Sequence, residues 1–175
     1  MNSPSQPNSD PVPLSFDEPW RYELGFPCDP RGPRIARTTM RAVLMAHGLT
    51  ELTYRAELLA SELTTNSVRY TKGRITLRLH WLCPVLRVSV RDLSPDLPEL
   101  RRPRPRDGDE KGRGLVLLDL VADRWGGCAM GEGAHEPGGK TIWFELALDS
   151  EGVAPGAVIA QPVPVPVPVP VAGGK

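Results

Sequence analysis

Between residues 20 and 26 apolar and polar positions alternate with a period of two. Trp20, Tyr22, Leu24 and Phe26 fall on one side, and Arg21, Glu23 and Gly25 on the other. Such alternation marks a strand with one buried face. The period then changes. Asp29 and Pro30 resemble a helix cap followed by proline in the first turn, and Ile35, Thr39, Ala42, Ala46 and Leu49 recur at helical spacing. Gly48 is placed to end that helix after His47. Thr50 can cap a second helix over residues 51–70. With Leu52 at zero on its wheel, Ala56, Leu59, Leu63 and Tyr70 lie within about 40° of it, Asn66 roughly 40° and Glu62 roughly 80° to one side.

After a turn at Lys72 and Gly73, alternation returns over residues 74–82 and again over 85–91, with Pro84 between them. This predicts a hairpin whose second strand ends at Asp92. Residues 93–111 hold Pro95, Pro98, Pro103 and Pro105 among Arg101, Arg102, Arg104, Arg106 and Lys111. A loop of that length is uncommon in a compact domain unless it is a lid or is disordered. Gly112-Arg113-Gly114 closes it, and the following LVLLDLVAD at 115–123 is apolar enough for a buried helix. Residues 124–130 and 140–148 predict a closing strand pair, with Ile142, Phe144, Leu146 and Leu148 on one face. Residues 1–19 are too polar and proline-rich to hold themselves in a core and predict a flexible arm. Residues 150–175 end in alternating Pro-Val, which favours polyproline II and predicts a disordered tail. One domain over residues 20–149 remains.

The 175 residues carry no net charge, so no broad electrostatic surface for nucleic acid or anionic membrane is expected. No apolar run reaches the length of a membrane span and the first residues lack signal-peptide character, which makes a cytoplasmic location the expectation. Cys28, Cys83 and Cys128 are far apart and form no C-x-x-C pair, which predicts reduced thiols. His47, His80 and His135 have no metal-binding spacing.

Glu62 and Asn66 stand four residues apart, on one helix face bordering the apolar stripe. A half-buried carboxylate can take a proton and a neighbouring amide oxygen can hold a hard cation, as magnesium-dependent phosphoryl transfer requires. The same pair also fits an ordinary helix surface. Glycines at a helix N-terminus let backbone N–H groups approach a phosphate, and Gly112 and Gly114 sit at such a place. Gly133 with Gly139-Lys140-Thr141 misses the phosphate-loop pattern, because five residues separate the glycines and a strand sequence follows.

In order along the chain, E-L-x-x-N-S at 62–67, the strand-end Asp92, a variable lid, G-R-G-L at 112–115 and G-K-T-I-W-F-E-L at 139–146 resemble the GHKL ATPase superfamily. Within it the likeness is to anti-sigma-factor serine/threonine kinases and similar single-domain ATP-binding regulators. The resemblance implies an α+β, Bergerat-type two-layer α/β sandwich: a mixed, mostly antiparallel sheet covered on one face by helices, with a mobile ATP lid. It implies ATP and Mg2+ as cofactors, Asn66 as the magnesium ligand and Glu62 as the general base. Asp92 would accept a hydrogen bond from the adenine amino group, with the Thr141 hydroxyl supporting that contact through water. Gly112, Gly114 and Leu115 would cradle phosphate, with Lys111 and Arg113 as charge partners. The implied partners are a sigma factor or an anti-sigma-factor antagonist that is phosphorylated, with homodimerisation common in such kinases. An ATP-holding association module of the same fold and the detached ATP-binding half of a histidine kinase are the alternatives. Leu93-Ser94-Pro95 stands where a D-x-G-x-G pattern would be expected, which predicts weaker nucleotide binding. Tyr70 stands where a histidine is common.

Overall fold

Four stretches of period-two alternation and one glycine-rich strand build the sheet, and two long amphipathic segments build most of what covers it. The computed structural model describes residues 13–94, 113–130 and 138–148. Its elements are β1 (Trp20–Phe26), α1 (Gly32–Ala46), α2 (Thr50–Tyr70), β2 (Ile75–Leu82), β3 (Val85–Asp92), α3 (Arg113–Val121), β4 (Arg124–Met130) and β5 (Gly139–Ala147). The expected lid, apart from Leu93 and Ser94, and the expected Pro-Val tail lie outside the described residues. No described helix is long and apolar enough to cross a membrane.

The strands form one sheet in the order β1-β2-β3-β5-β4, and every neighbouring pair is antiparallel. The mixed sheet implied by the resemblance is therefore corrected for the described strands. The connection from β3 through α3 would bring β4 in parallel to β3. Instead the β4–β5 hairpin folds β5 in between, so the two parallel strands never touch. Ile75, Leu77, Leu79 and Trp81 of β2, Leu86, Val88 and Val90 of β3, and Ile142, Phe144 and Leu146 of β5 are buried in one core with Leu52, Ala56, Leu59, Ala60 and Leu63 of α2. The helices thus cover one face, and the alternate residues of the strands look outward.

The apolar stripe of α1 is not the predicted one, of which Leu49, just beyond the helix, is buried. Gly32, Ala36, Met40 and Leu44 are buried, whereas Ile35 is 46% exposed and Ala42 and Ala46 are also exposed. Both sets recur at helical spacing, but the buried set brings the longer apolar chains inward. It also places Gly32, which has no Cβ, where a side chain would stand 2.9 Å from Phe26 Cε2. Asp29 acts before the helix rather than at its cap: its Oδ1 accepts the Arg31 N–H at 2.8 Å. The side-chain bond from Arg31, followed by that backbone bond, holds the Asp29 carboxyl well below the usual range. Gly48 ends α1 as predicted, at φ +72°. Thr50 is the first residue of α2, not its cap. Tyr70, placed by the wheel over the core stripe, is the last residue of α2 and is 53% exposed.

The end of the expected N-terminal arm is held to the domain. Phe16 meets Trp81 edge to face at 5.6 Å, and the Trp81 indole N–H donates to the Phe16 carbonyl at 2.8 Å.

Met40→Ala is expected to lower the unfolding free energy by about 2–5 kcal/mol in urea titrations. Ile35→Ala should stay within about 0.5 kcal/mol of the parent. Similar losses in both variants would put Ile35 back in the core.

Candidate functional site

Helix α2 carries polar side chains on both flanks of its apolar stripe, and each flank is tied to a different element. Toward α1, the Arg41 guanidinium donates to both Glu57 carboxylate oxygens and Arg37 Nε donates to Ser61 Oγ at 2.9 Å. Toward α3, Arg55 donates from Nε at 3.1 Å and Nη2 at 2.7 Å to the Val121 carbonyl, and from Nη2 to Asp123 Oδ1 at 2.7 Å. Asp123 Oδ2 in turn accepts the Ala147 N–H at 2.6 Å. One of the last carbonyls of α3 is thereby satisfied by α2, which fixes where α3 lies against it.

The other end of α3 reaches Glu62 and Asn66. A Cβ built on Gly114 would lie 2.7 Å from Asn66 Nδ2 and 3.8 Å from Glu62 Oε2. Both side chains are half-buried, as their wheel positions predict. Gly114 is buried in the first turn of α3, where N–H groups have no partner within the helix. A carboxylate, a carboxamide and the first turn of α3 thus share one place.

Asp92 belongs to the same neighbourhood through Ser67, the residue after Asn66. It is 1% exposed, and Ser67 Oγ donates to its Oδ2 at 2.6 Å. The Ser94 N–H donates to Oδ1 at 2.8 Å, and Lys140 Nζ stands 3.4 Å from the same oxygen. Gly139 permits the approach of β5 here, since a Cβ on it would meet the Asp92 carbonyl oxygen at 2.2 Å.

Thr141 is not brought to Asp92. The register pairs it with Arg91 and pairs Lys140 with Asp92, so strand alternation puts Thr141 on the opposite sheet face. Leu115 is half-buried and packs against the core, and Arg113 opens α3. Lys111 and Gly112 lie outside the described residues. The contributions missed by sequence reasoning are those of Ser67, Ser94 and Lys140. Ser67 was within reach, being buried beside Asn66 on the helix. Lys140 needed the β3–β5 register, which no sequence signal specifies.

No protein-family model matches the chain, and no curated protein does. What the site can do therefore rests on its geometry and donor set. Among the described residues no three His, Cys, Asp or Glu side chains cluster as a metal cage. The Asn66 carboxamide, whose Nδ2 faces Gly114, could with one carboxylate instead lend an oxygen to a magnesium ion that keeps waters and phosphate oxygens among its ligands.

Ser67→Ala should lower the unfolding free energy by about 1.5–3 kcal/mol, the usual worth of a hydrogen bond to a charged group. Denaturant melts that coincide with the parent's would remove this tie. Gly114→Ala should leave the melt nearly unchanged, because the new methyl meets the movable end of Asn66. It should shift the Asn66 side-chain amide signals in NMR, and unmoved signals would contradict the contact.

Proposed function

We propose that the chain is an ATP-binding regulator of the anti-sigma-factor serine/threonine kinase kind, transferring the γ-phosphate of Mg-ATP to a Ser/Thr hydroxyl of a protein antagonist. The observation that carries this reading is the meeting of Glu62 and Asn66 at Gly114, one residue from the serine that holds Asp92. Together with the motif order, it gives each part of a phosphoryl-transfer site a residue.

In this reading the first-turn N–H groups of α3 and the positive end of its dipole bind phosphate oxygens. Asp92 accepts the adenine amino group and orients the base. Asn66 would hold Mg2+ through its side-chain oxygen, and the ion, when bound, offsets charge on the phosphates. Glu62 takes the proton from the attacking hydroxyl as the new O–P bond forms and the bond from the γ-phosphorus to the β–γ bridging oxygen breaks, releasing ADP. Partner switching follows if a sigma factor and the phosphorylatable antagonist compete for the same protein. The ATP-holding association module is the competing reading, supported by Ser94 and Asp96 in place of the two glycines of a D-x-G-x-G pattern after Asp92.

Asn66→Ala is expected to abolish Mg-ATP binding in a calorimetric titration. Glu62→Ala should bind ATP but transfer labelled γ-phosphate to co-purifying proteins about 10²–10⁴-fold more slowly. Equal transfer by Glu62→Ala and the parent would exclude the base, and unchanged binding by Asn66→Ala would exclude the metal ligand.

A further inference from the structure

Lys140 is an ammonium in an unusual place. Its side chain is 9% exposed, and among the described residues its polar partner is Asp92 Oδ1 at 3.4 Å. That separation is looser than the roughly 2.7–2.9 Å of a direct charged hydrogen bond. An ammonium has three N–H donors, and burying it with one loose contact is costly unless something else accepts from it. Asp92 is the reverse case. A carboxylate has about four acceptor positions, and Ser67, Ser94 and Lys140 account for three of them. Among the described residues the position left open is on Oδ2. The pair therefore offers one acceptor beside an ammonium with donors to spare, at the end of β3 where it lies against β5.

We propose that Lys140 reads the nucleotide base together with Asp92, donating to ring nitrogen N1 of adenine while Asp92 accepts from the 6-amino group. This rests on the ATP reading above. Adenine presents those two atoms side by side as donor and acceptor, which complements the carboxylate and the ammonium. Guanine in the same orientation presents a carbonyl to the carboxylate and an N–H to the ammonium, so both contacts become repulsive. The hydroxyl of Thr141 cannot take this role from the opposite face. Lys140 is then a specificity-determining residue as well as the counter-ion of Asp92.

The test is a calorimetric comparison of ATP with 1-deaza-ATP, in which N1 is a C–H group, both with magnesium. The parent should bind 1-deaza-ATP about ten- to a hundredfold more weakly than ATP, the range for a hydrogen bond to a charged group. Lys140→Met should erase the difference, binding ATP and 1-deaza-ATP equally, whatever the loss of the Asp92 counter-ion costs both. Equal binding of both ligands by the parent would overturn the proposal and leave the ATP reading intact. So would a Lys140→Met variant that weakens both ligands alike or binds ATP as tightly as the parent. A parent that binds ATP not at all would overturn both. Should Lys140→Met fail to melt cooperatively, Lys140→Gln carries the same comparison, with a smaller loss because a neutral donor remains.

Discussion

A carboxylate as deeply buried as Asp92 needs donors, and those it has among the described residues come from a helix, from its own turn and from the neighbouring strand. Removing any of them leaves charge in a low-dielectric setting, so the three elements are held in one arrangement. Ser67 sets how far α2 has advanced along the sheet. Because Glu62 and Asn66 are fixed on that helix, the same bond decides where they point. A polar contact at the end of β3 thus positions Asn66, next to Ser67, and Glu62, five residues before Ser67.

The second clamp works from the other side. Arg55 holds the last turn of α3, and Asp123 joins that turn to β5 through the Ala147 N–H. With its C-terminal end fixed, α3 presents Gly114 to Asn66 and Glu62. The salt bridge from Arg41 to Glu57 differs in kind. The Arg41 side chain is 61% exposed, so water screens the pair, and α1 owes its seat mainly to Ala36, Met40 and Leu44.

Strand periodicity was readable where a strand has one buried face, and β1 and β3 run over the residues that the alternation and its breakers predict, although Tyr22 on the predicted inner side of β1 is exposed. Helix α2 was readable for the same reason. In α1 two stripes compete on one helix, and only packing against Phe26 and α2 chooses between them. The site divides along similar lines. Glu62, Asn66 and Asp92 could be proposed because helix spacing and strand ends are local features. Thr141 and Lys140 are neighbours in sequence, but a one-residue step across a pleated strand exchanges the faces. The choice between them depends on a register set by the whole sheet.

In the proposed function Glu62, Asn66, Asp92 and the start of α3 surround one adenine nucleotide. Hydrogen exchange followed by mass spectrometry, with and without Mg-ATP, distinguishes that arrangement from separate surfaces. Convergence predicts simultaneous protection of peptides covering residues 61–68, 91–94, 113–118 and 139–142, with the β1 edge unchanged. Protection confined to one of these segments, or none at saturating nucleotide, would contradict it.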